Sequence, residues 1–588
     1  MYDIMEQRVT LVEQLNKNRQ PFREMDVIYL VDPTVAAANK IAEDFPSEAK
    51  AKYAGVHIYF LDVASDEVVM AIQANGVLCS RIRTFKELNL HFVTPELNVY
   101  HFDMPSALTR LYSEPADSTC PIAIAEKLAT LCITLNEFPS IRYQTSSPTA
   151  TEIATTVVKI LTDFKRNNPS FWCHGEDAHQ DRERGQLLIL DRSFDPISPL
   201  MHEYTYQAMV NDLLPVRDGV ISYSSETNSG AKVEKDVLLN ESDELWVELR
   251  HQHIAKVIEV IKERMSDIIN NNPGAALAKN SGSDMSITTM AAAVKALPEY
   301  RETMAKLSQH VHIAQQCMDC FSRTGLMDIN QLEQTMSTGE DEEGKEVKGQ
   351  KLLQLLIDTL TLPDVSKQIK IRLMAIFTLS QLSRGGATAE DRRRLIQAAG
   401  LTGPEQQILL NCEKLGAVLQ QSSQSRQSAG GLIGIFRGRA APKHAATPEG
   451  EYADSRHKCR LRALLEGLLD PEAGGDALPA DQFGTMGPAV SSAAPVAKSV
   501  RKYGNNSRFG KNANRSMFQS ARYMVCIAGG VSHSELRTAH DLMMQHSKEV
   551  VVGGSHIISP NAFLADIASL SPRSADAASL FELSPGKL

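Results

Sequence analysis

Three stretches of this chain carry residue types that perform catalysis or bind metals elsewhere. In 186-QLLILDRSFDPISPLMHEYTYQAMVNDLLP-215, Asp191 and Asp195 lie four residues apart, the kind of carboxylate pair that divides acid and base work. The loop between them has no partner histidine at a readable spacing, so capping or buttressing, with Arg192 tying the turn, is the better reading. Ile527 to Ser534 (IAGGVSHS) follows an apolar run and opens a helical pattern, where a helix N-terminus can receive a phosphate. It lacks the GxxxxGK and GxGxxG phosphate loops, and Gly529 and Gly530 fit a tight strand-to-helix turn. Ser532 beside His533 departs from a nucleophile elbow, because Ser534 stands where GxSxG needs its last glycine. His202 and Glu203 begin HExxx rather than the zinc-binding HExxH. Cys317-x-x-Cys320 with His310 and His312 has ligand-type residues, but on a helix residues two apart diverge, and no second CxxC or HxxxH is near. The expectation is no catalytic residue, no metal and no cofactor.

The elements around these residues read as α/β followed by a long helical region. Leu187 to Leu190 is an unbroken apolar run closed by Asp191, as in a parallel strand covered on both faces. Ser198 with Pro199 reads as the start of a helix, and Tyr206, Met209, Val210 and Leu213 form one stripe that Pro215 ends. Asp26 to Asp32 and Val56 to Asp62 are strands flanking a helix over Ala36 to Phe45. Asp66 to Gln73 is helical, and Arg81 to Thr84 and Asn89 to Val93 are extended. Next come helices over Ile122 to Leu135 and Ala150 to Asn167, with a strand around Ile141 between them. Much later, strands at Tyr523 to Ala528 and Val550 to Val552 flank a helix over Ser534 to His546. They need a sheet, and the Leu187 sheet is the simplest one to join. Between lie helices over Trp246 to Ile269, Lys351 to Leu362 and Gln368 to Leu382, with others starting at Ala389 and Pro404. Ile287 to Leu297 is helical, and beyond Pro298 a heptad seam runs through Tyr300, Met304, Leu307, Val311, Ala314 and Met318. Proline within a helix costs about 3 kcal/mol, which marks a bend or hinge at Pro298.

Composition narrows the function classes. With 61 basic and 71 acidic residues the formal charge is −10, which argues against nucleic acid as a partner. Nine cysteines at irregular spacing suit reduced thiols in the cytosol. No run approaches 18 apolar residues, and the first residues lack a signal-peptide layout. Gln420 to Asn514 is rich in Gly, Ala, Ser, Gln and Pro and is expected to be largely disordered.

The strand, two-proline turn and stripe closely resemble the signature of the syntaxin-binding SM family (Sec-one/Munc-eighteen). The likeness extends to 236-DVLLNESDELWVELRHQHIAKV-257, 522-RYMVCIAGGVSHSELR-537 and 549-EVVVGGSHIISPNAFL-564 and is greatest to the exocytic, plasma-membrane branch. It implies a three-domain arch whose domains 1 and 2 have parallel sheets flanked by helices and whose third domain is large and mainly helical. Domain 1 covers 1–90, discontinuous domain 2 covers 91–204 and 515–588, domain 3 covers 205–419 with a hairpin around 285–335, and 420–514 is an insert. In the family a strand and helix precede the segment that resembles the helix over Asp3 to Lys17; their absence here points first to a truncated gene model, and a real omission would leave an uncovered sheet edge.

The resemblance also implies a non-enzymatic regulator of SNARE-mediated docking and fusion, recruited from the cytoplasm to the plasma membrane through a syntaxin. Vesicle SNAREs and the assembled SNARE bundle are further expected partners. By position, Glu13 and Lys17 would meet syntaxin in a cleft. Val69, Ile82, Phe85 and Glu87 would line a pocket for its N-terminal peptide, although Val69 replaces a larger aromatic. Pro298, Tyr300, Met304, Leu307 and Val311 would template SNARE helices. Core packing is the competing account of the apolar residues in both sets. The competing function is a nucleotide- or metabolite-binding α/β enzyme with a helical insertion.

Overall fold

The computed structural model describes residues 9–172, 184–217, 219–226, 232–270, 301–347, 349–380, 388–416, 455–470, 478–479, 481–488, 521–572 and 581. Its contacts divide into two units, Met1–Val93 and Thr94–Leu588.

In the first unit, β1 (Val27–Val31), α1 (Val35–Ala42), β2 (Val56–Phe60), α2 (Asp66–Gln73), α3 (Gly76–Arg81) and β3 (Ile82–Glu87) form a three-stranded parallel sheet in the order β1-β2-β3. Tyr29, Val56, Ile58 and Phe60 point to the face covered by Ile41 of α1 and by Val68 and Ile72 of α2. Side chains alternate along a strand, so Ile28 and Leu30 point the other way, and they are 60% and 58% exposed. The expected helix over Asp3 to Lys17 is not found in its described part. Residues 9–14 have no regular structure, 15–17 form a turn, and Val12 is exposed. A short amphipathic stripe holds a helix only when it packs, and of this stripe Leu15 is the residue that reaches the core.

The second unit is built on a seven-stranded sheet. Its strands are β4 (Val93–Glu96), β5 (Val99–His101), β6 (Ser140–Gln144), β7 (Gln186–Asp191), β11 (Phe483–Met486), β12 (Tyr523–Ala528) and β14 (Val550–Gly554), in the order β11-β6-β7-β12-β14-β5-β4, and the short β13 (Val531–Ser532) pairs outside it with Ile557–Ile558. The late strands do join the Leu187 strand: β12 lies parallel between β7 and β14, with Leu188 opposite Val525 and Leu190 opposite Ile527. Leu187 to Leu190 are all fully buried, as the unbroken apolar run requires. Helices α4 (Ala107–Tyr112), α5 (Thr119–Thr134) and α6 (Pro148–Asn167) follow β5 and flank β6, with α6 lying on β6 and β7.

The helical region begins with α7 (Tyr206–Leu213) and an antiparallel sheet of β8 (Val216–Arg217), β9 (Val220–Glu226) and β10 (Lys232–Leu238), which the sequence reading did not anticipate. Then come α8 (Glu244–Leu249), α9 (Ile254–Asn270), α10 (Arg301–Arg323), α11 (Leu326–Thr338), α12 (Gly349–Thr361), α13 (Lys367–Ser380), α14 (Ala389–Ala399) and α15 (Gly403–Asn411). They share one apolar core with the late helix α18 (Pro560–Ser569).

Two helices differ from expectation for a common reason. Ser198 and Pro199 start only a 3₁₀ turn, and α7 begins at Tyr206. The side chain of its N-cap residue, Thr205, makes no capping bond; instead the Tyr206 and Gln207 amides donate to the carbonyls of Gln252 and Arg250 at 3.0 and 2.9 Å. Those carbonyls are free because the expected helix over Trp246 to Ile269 breaks there into α8 and α9. One interruption satisfies the orphan donors of another helix.

The tract expected to be largely disordered contains ordered elements. Within 420–514, α16 (Arg460–Leu469) is a helix whose Leu461, Leu464, Leu465, Leu468 and Leu469 pack with α17 (His533–His546), and β11 pairs antiparallel with β6. Averaging composition over the tract hid this ten-residue amphipathic stripe. Replacing Leu465 by Ala should lower stability by about 2–5 kcal/mol in urea denaturation. A residue in a solvated insert would change it by less than about 0.5 kcal/mol.

Candidate functional site

The signature segment places its charged residues in the interior. Arg192 and Glu535 are both fully buried and form a two-pronged ion pair, Nη2 to Oε1 at 2.6 Å and Nη1 to Oε2 at 2.9 Å. Two further guanidinium donors reach the carbonyls of Gly530 at 3.0 Å and Asp195 at 2.7 Å, and Nε is left without a hydrogen-bond partner. Glu535 also accepts from the Ser532 amide and hydroxyl, completing a capping box at the start of α17. Ser532 is therefore a helix cap. The neighbouring glycines adopt φ of +95° and +102°, and a Cβ on Gly529 would lie 3.0 Å from the Cβ of Arg192. The turn that resembled a phosphate loop exists so that the arginine can pass.

The two aspartates act separately. Asp191 Oδ1 accepts from the Ser193 amide at 2.9 Å, and its Oδ2 is bonded by Ser147, the cap of α6. Asp195 receives the Ser198 amide at 3.1 Å, the Ser198 hydroxyl at 2.6 Å and the Arg460 amide at 2.8 Å. Burial alone would raise the Asp195 carboxyl, but Arg460, His457, Arg192 and the Ser198 donor hold it below the usual carboxylate range. A histidine does reach this loop from far along the chain: His457 Nε2 lies 2.9 Å from Ser198 Oγ. Ser198 gives its proton to Asp195 and so accepts from His457, the reverse of an activated nucleophile. Burial pushes the His457 imidazole down even though Asp195 faces it.

A second network ties the same segment to the helical core. The amide and Nδ1 of His202 meet the two oxygens of Glu333 at 3.0 and 2.8 Å, and Asn330 Nδ2 donates to the His202 carbonyl at 3.1 Å. Arg372 grips Asp212 through two nitrogens at 2.9 Å. His310, a metal candidate by sequence, is fully buried between Tyr206 Oη at 2.9 Å and Asp243 Oδ2 at 3.0 Å. Asp243 caps α8, and although burial would raise its carboxyl, the contact with His310 keeps it below the usual range. Cys317 and Cys320 are buried, and burial raises the Cys317 thiol, so it behaves as core. Among the described residues no group of His, Cys, Asp and Glu is arranged to hold a metal ion.

The residues assigned by resemblance fall in several places. In the first unit, Glu13 and Lys17 are exposed on the irregular segment, so no helix brings them together. Ile82 and Val69 are half-buried. Phe85, 40% exposed on β3, packs its ring edge-on to Phe60 at 5.4 Å, and Glu87 accepts from the Ala64 amide at 2.9 Å. Phe85 and Glu87 are two apart on one strand and so share a face. In the second unit, Met304 and Leu307 of α10 lie in the core, and Val311 is half-buried against it. Pro298 and Tyr300 lie outside the described residues.

These observations define an α/β protein with a large helical region, whose signature polar residues satisfy one another in the joint between sheet and helices. The chain matches the Sec1 family over residues 1–566 and belongs to it. It is 31% identical over 581 residues to the Dictyostelium discoideum "Protein transport protein sec1", spanning 97% of this chain and 92% of that one. It is 28% identical over 620 residues to the Arabidopsis thaliana "SNARE-interacting protein KEULE", spanning 97% and 89%. The fold superposes with a TM-score of 0.75 and 24% identity on a chain of the Unc18–syntaxin 1 complex from Monosiga brevicollis, covering 97% of this chain and 92% of that one.

Two outcomes follow from the buried network. Glu535→Gln, which leaves Arg192 charged and half-partnered, should cost about 3–5 kcal/mol in denaturant titration. Because the folded Asp195 carboxyl lies below its unfolded value of about 3.9, its stabilisation is complete above that pH and is lost as pH falls through the folded value. Urea midpoints taken from pH 6 down to pH 2 should therefore fall less steeply below about pH 4 in Asp195→Asn than in the wild type.

Proposed function

We infer that this protein regulates SNARE-driven vesicle docking and fusion, holding a syntaxin-type SNARE and guiding SNARE assembly without bond chemistry. The observation that carries the inference is membership of the Sec1 family along nearly the whole chain, with the fold of a chain solved bound to a syntaxin. The mechanism is differential binding, in which the SNARE conformer that fits best is the one whose population rises. The buried polar joint supports this reading, because Arg192 with Glu535 and Asp195 with Ser198 spend their hydrogen bonds on one another.

The contact residues form part of the proposal. Phe85 and Glu87, flanked by Ile82 and Val69, offer an apolar position and a carboxylate for a syntaxin N-terminal peptide with a cation beside a bulky side chain. Glu13 and Lys17 contribute exposed charges to a cleft contact. For Met304, Leu307 and Val311 to template a SNARE helix, α10 must first lift from the core, with Pro298 and Tyr300 at the hinge. Among the described residues no helix is long and apolar enough to cross a membrane, and recruitment to the plasma membrane goes through the bound syntaxin.

Isothermal titration against the host's plasma-membrane syntaxin cytosolic fragment, with and without its N-terminal peptide, tests the proposal. Saturable binding is expected. Phe85→Ala with Glu87→Lys should weaken it about tenfold only when the peptide is present, and Glu13→Lys with Lys17→Glu should weaken both forms. Absence of binding to every host syntaxin would contradict the function.

A further inference from the structure

A helix that lifts from a core needs a fixed point, and α10 has one at His310. Its fully buried ring has Nδ1 2.9 Å from Tyr206 Oη on α7 and Nε2 3.0 Å from Asp243 Oδ2 at the start of α8. The other oxygen of Asp243 accepts the amides of Leu245 and Trp246 at 3.1 and 3.2 Å, so His310 is tied to a group that α8 itself holds in place. Tyr206 packs edge-on against Trp246 at 5.3 Å. Withdrawing His310 would leave a hydroxyl and a carboxylate oxygen buried without their partner, which costs more than the loss of an exposed bond.

The helix is held unequally on the two sides of that point. Before it, the buried apolar side chains among the described residues are Met304 and Leu307; beyond it they are Ile313, Ala314, Cys317, Cys320 and Phe321. Apolar stabilisation grows with the area buried, so the first turns are the more easily detached.

We propose that His310 is the pivot of α10: residues 301–309 leave the core while residues 310–323 stay in it. The proposal rests on the reading of α10 as a SNARE template and sets how much of the helix is offered. Val311, half-buried just past the pivot, then stands in line with Met304 and Leu307 at spacings of three and four. The partner is an amphipathic SNARE-type helix that reads these three positions. His310 is a positioning residue and meets no partner itself.

The test is thiol labelling of the full chain under native conditions, read site by site by mass spectrometry and expressed relative to the unfolded chain. Met304→Cys and Ile313→Cys, each replacing a side chain at 0% exposure, report the two sides of the pivot. Cys317 and Cys320 report the far side without substitution, and Cys412 and Cys526, buried in other elements, report general opening. Met304→Cys should react at least about tenfold faster than Ile313→Cys, as expected of a local opening. Tyr206→Phe with Asp243→Ser removes both bonds to His310, while the phenyl ring keeps its packing and serine still caps α8. Labelling of Cys317 and Cys320 should then rise about tenfold, with Cys412 and Cys526 unchanged. Should that variant fail to fold, Tyr206→Phe alone should raise Cys317 labelling about fivefold. Equal reactivity at positions 304 and 313 would overturn the pivot. So would a Cys317 that stays unreactive once the bonds are removed, or a Cys412 that rises in step with it, since that is loss of overall stability. Labelling is read on the free chain, so absence of SNARE binding would contradict the proposed function and leave these outcomes to decide the pivot.

Discussion

The second unit depends on the ion pair between Arg192 and Glu535, both at 0% exposure. Taking two charges out of water costs several kcal/mol for each ion, and the pair persists because its geometry is bidentate and two backbone carbonyls take two of the three remaining protons. Its consequences are geometric. The arginine leaves the end of β7 and the glutamate sits in the first turn of α17, so the pair fixes the ends of two neighbouring parallel crossovers against each other. Gly529, at positive φ, stands where a Cβ would crowd Arg192, and Gly530 stands where one would run into Ile558 and His556.

From that point the polar bonds run outward into the helices. Asp195 holds Ser198 and the backbone at Arg460, which brings α16 onto the sheet. His202 with Glu333, and Arg372 with Asp212, join the signature segment to α11 and α13. These groups need desolvation to work, and they obtain it only when sheet and helices are packed. Residues that look like catalytic machinery in sequence thus serve as a rigid frame, and the proposed function looks for partner recognition on surfaces such as the β3 strand.

The parts of this structure legible in sequence are those set by local pattern. The apolar run at Leu187 to Leu190, the late strands that needed a sheet and the stripe of α7 follow from residue spacing alone. What escaped depends on distant partners. Tyr206 and Gln252 are 46 positions apart, so the tertiary capping of α7 and the break between α8 and α9 leave no local trace. His457 meets Ser198 across 259 positions, and no spacing rule reaches that far. The leucine stripe of α16 was present in the sequence but was averaged away with its low-complexity neighbours. For the candidate contacts, resemblance supplied the positions of Phe85 and Glu87. The burial of Met304 and Leu307 is the ordinary outcome for a heptad seam on a core helix.

The central claim is that the buried signature charges are framework and that SNARE recognition is a matter of surface. The most direct measurement replaces the ion pair with apolar residues of similar size, Arg192→Met with Glu535→Leu, and titrates the folded variant with the host syntaxin cytosolic fragment. The account predicts a folded protein whose syntaxin affinity stays within about twofold of the wild type, since the apolar exchange of a buried pair is tolerated. A variant that keeps its fold and melting behaviour but loses syntaxin binding tenfold or more would place those charges in the recognition machinery and contradict the account.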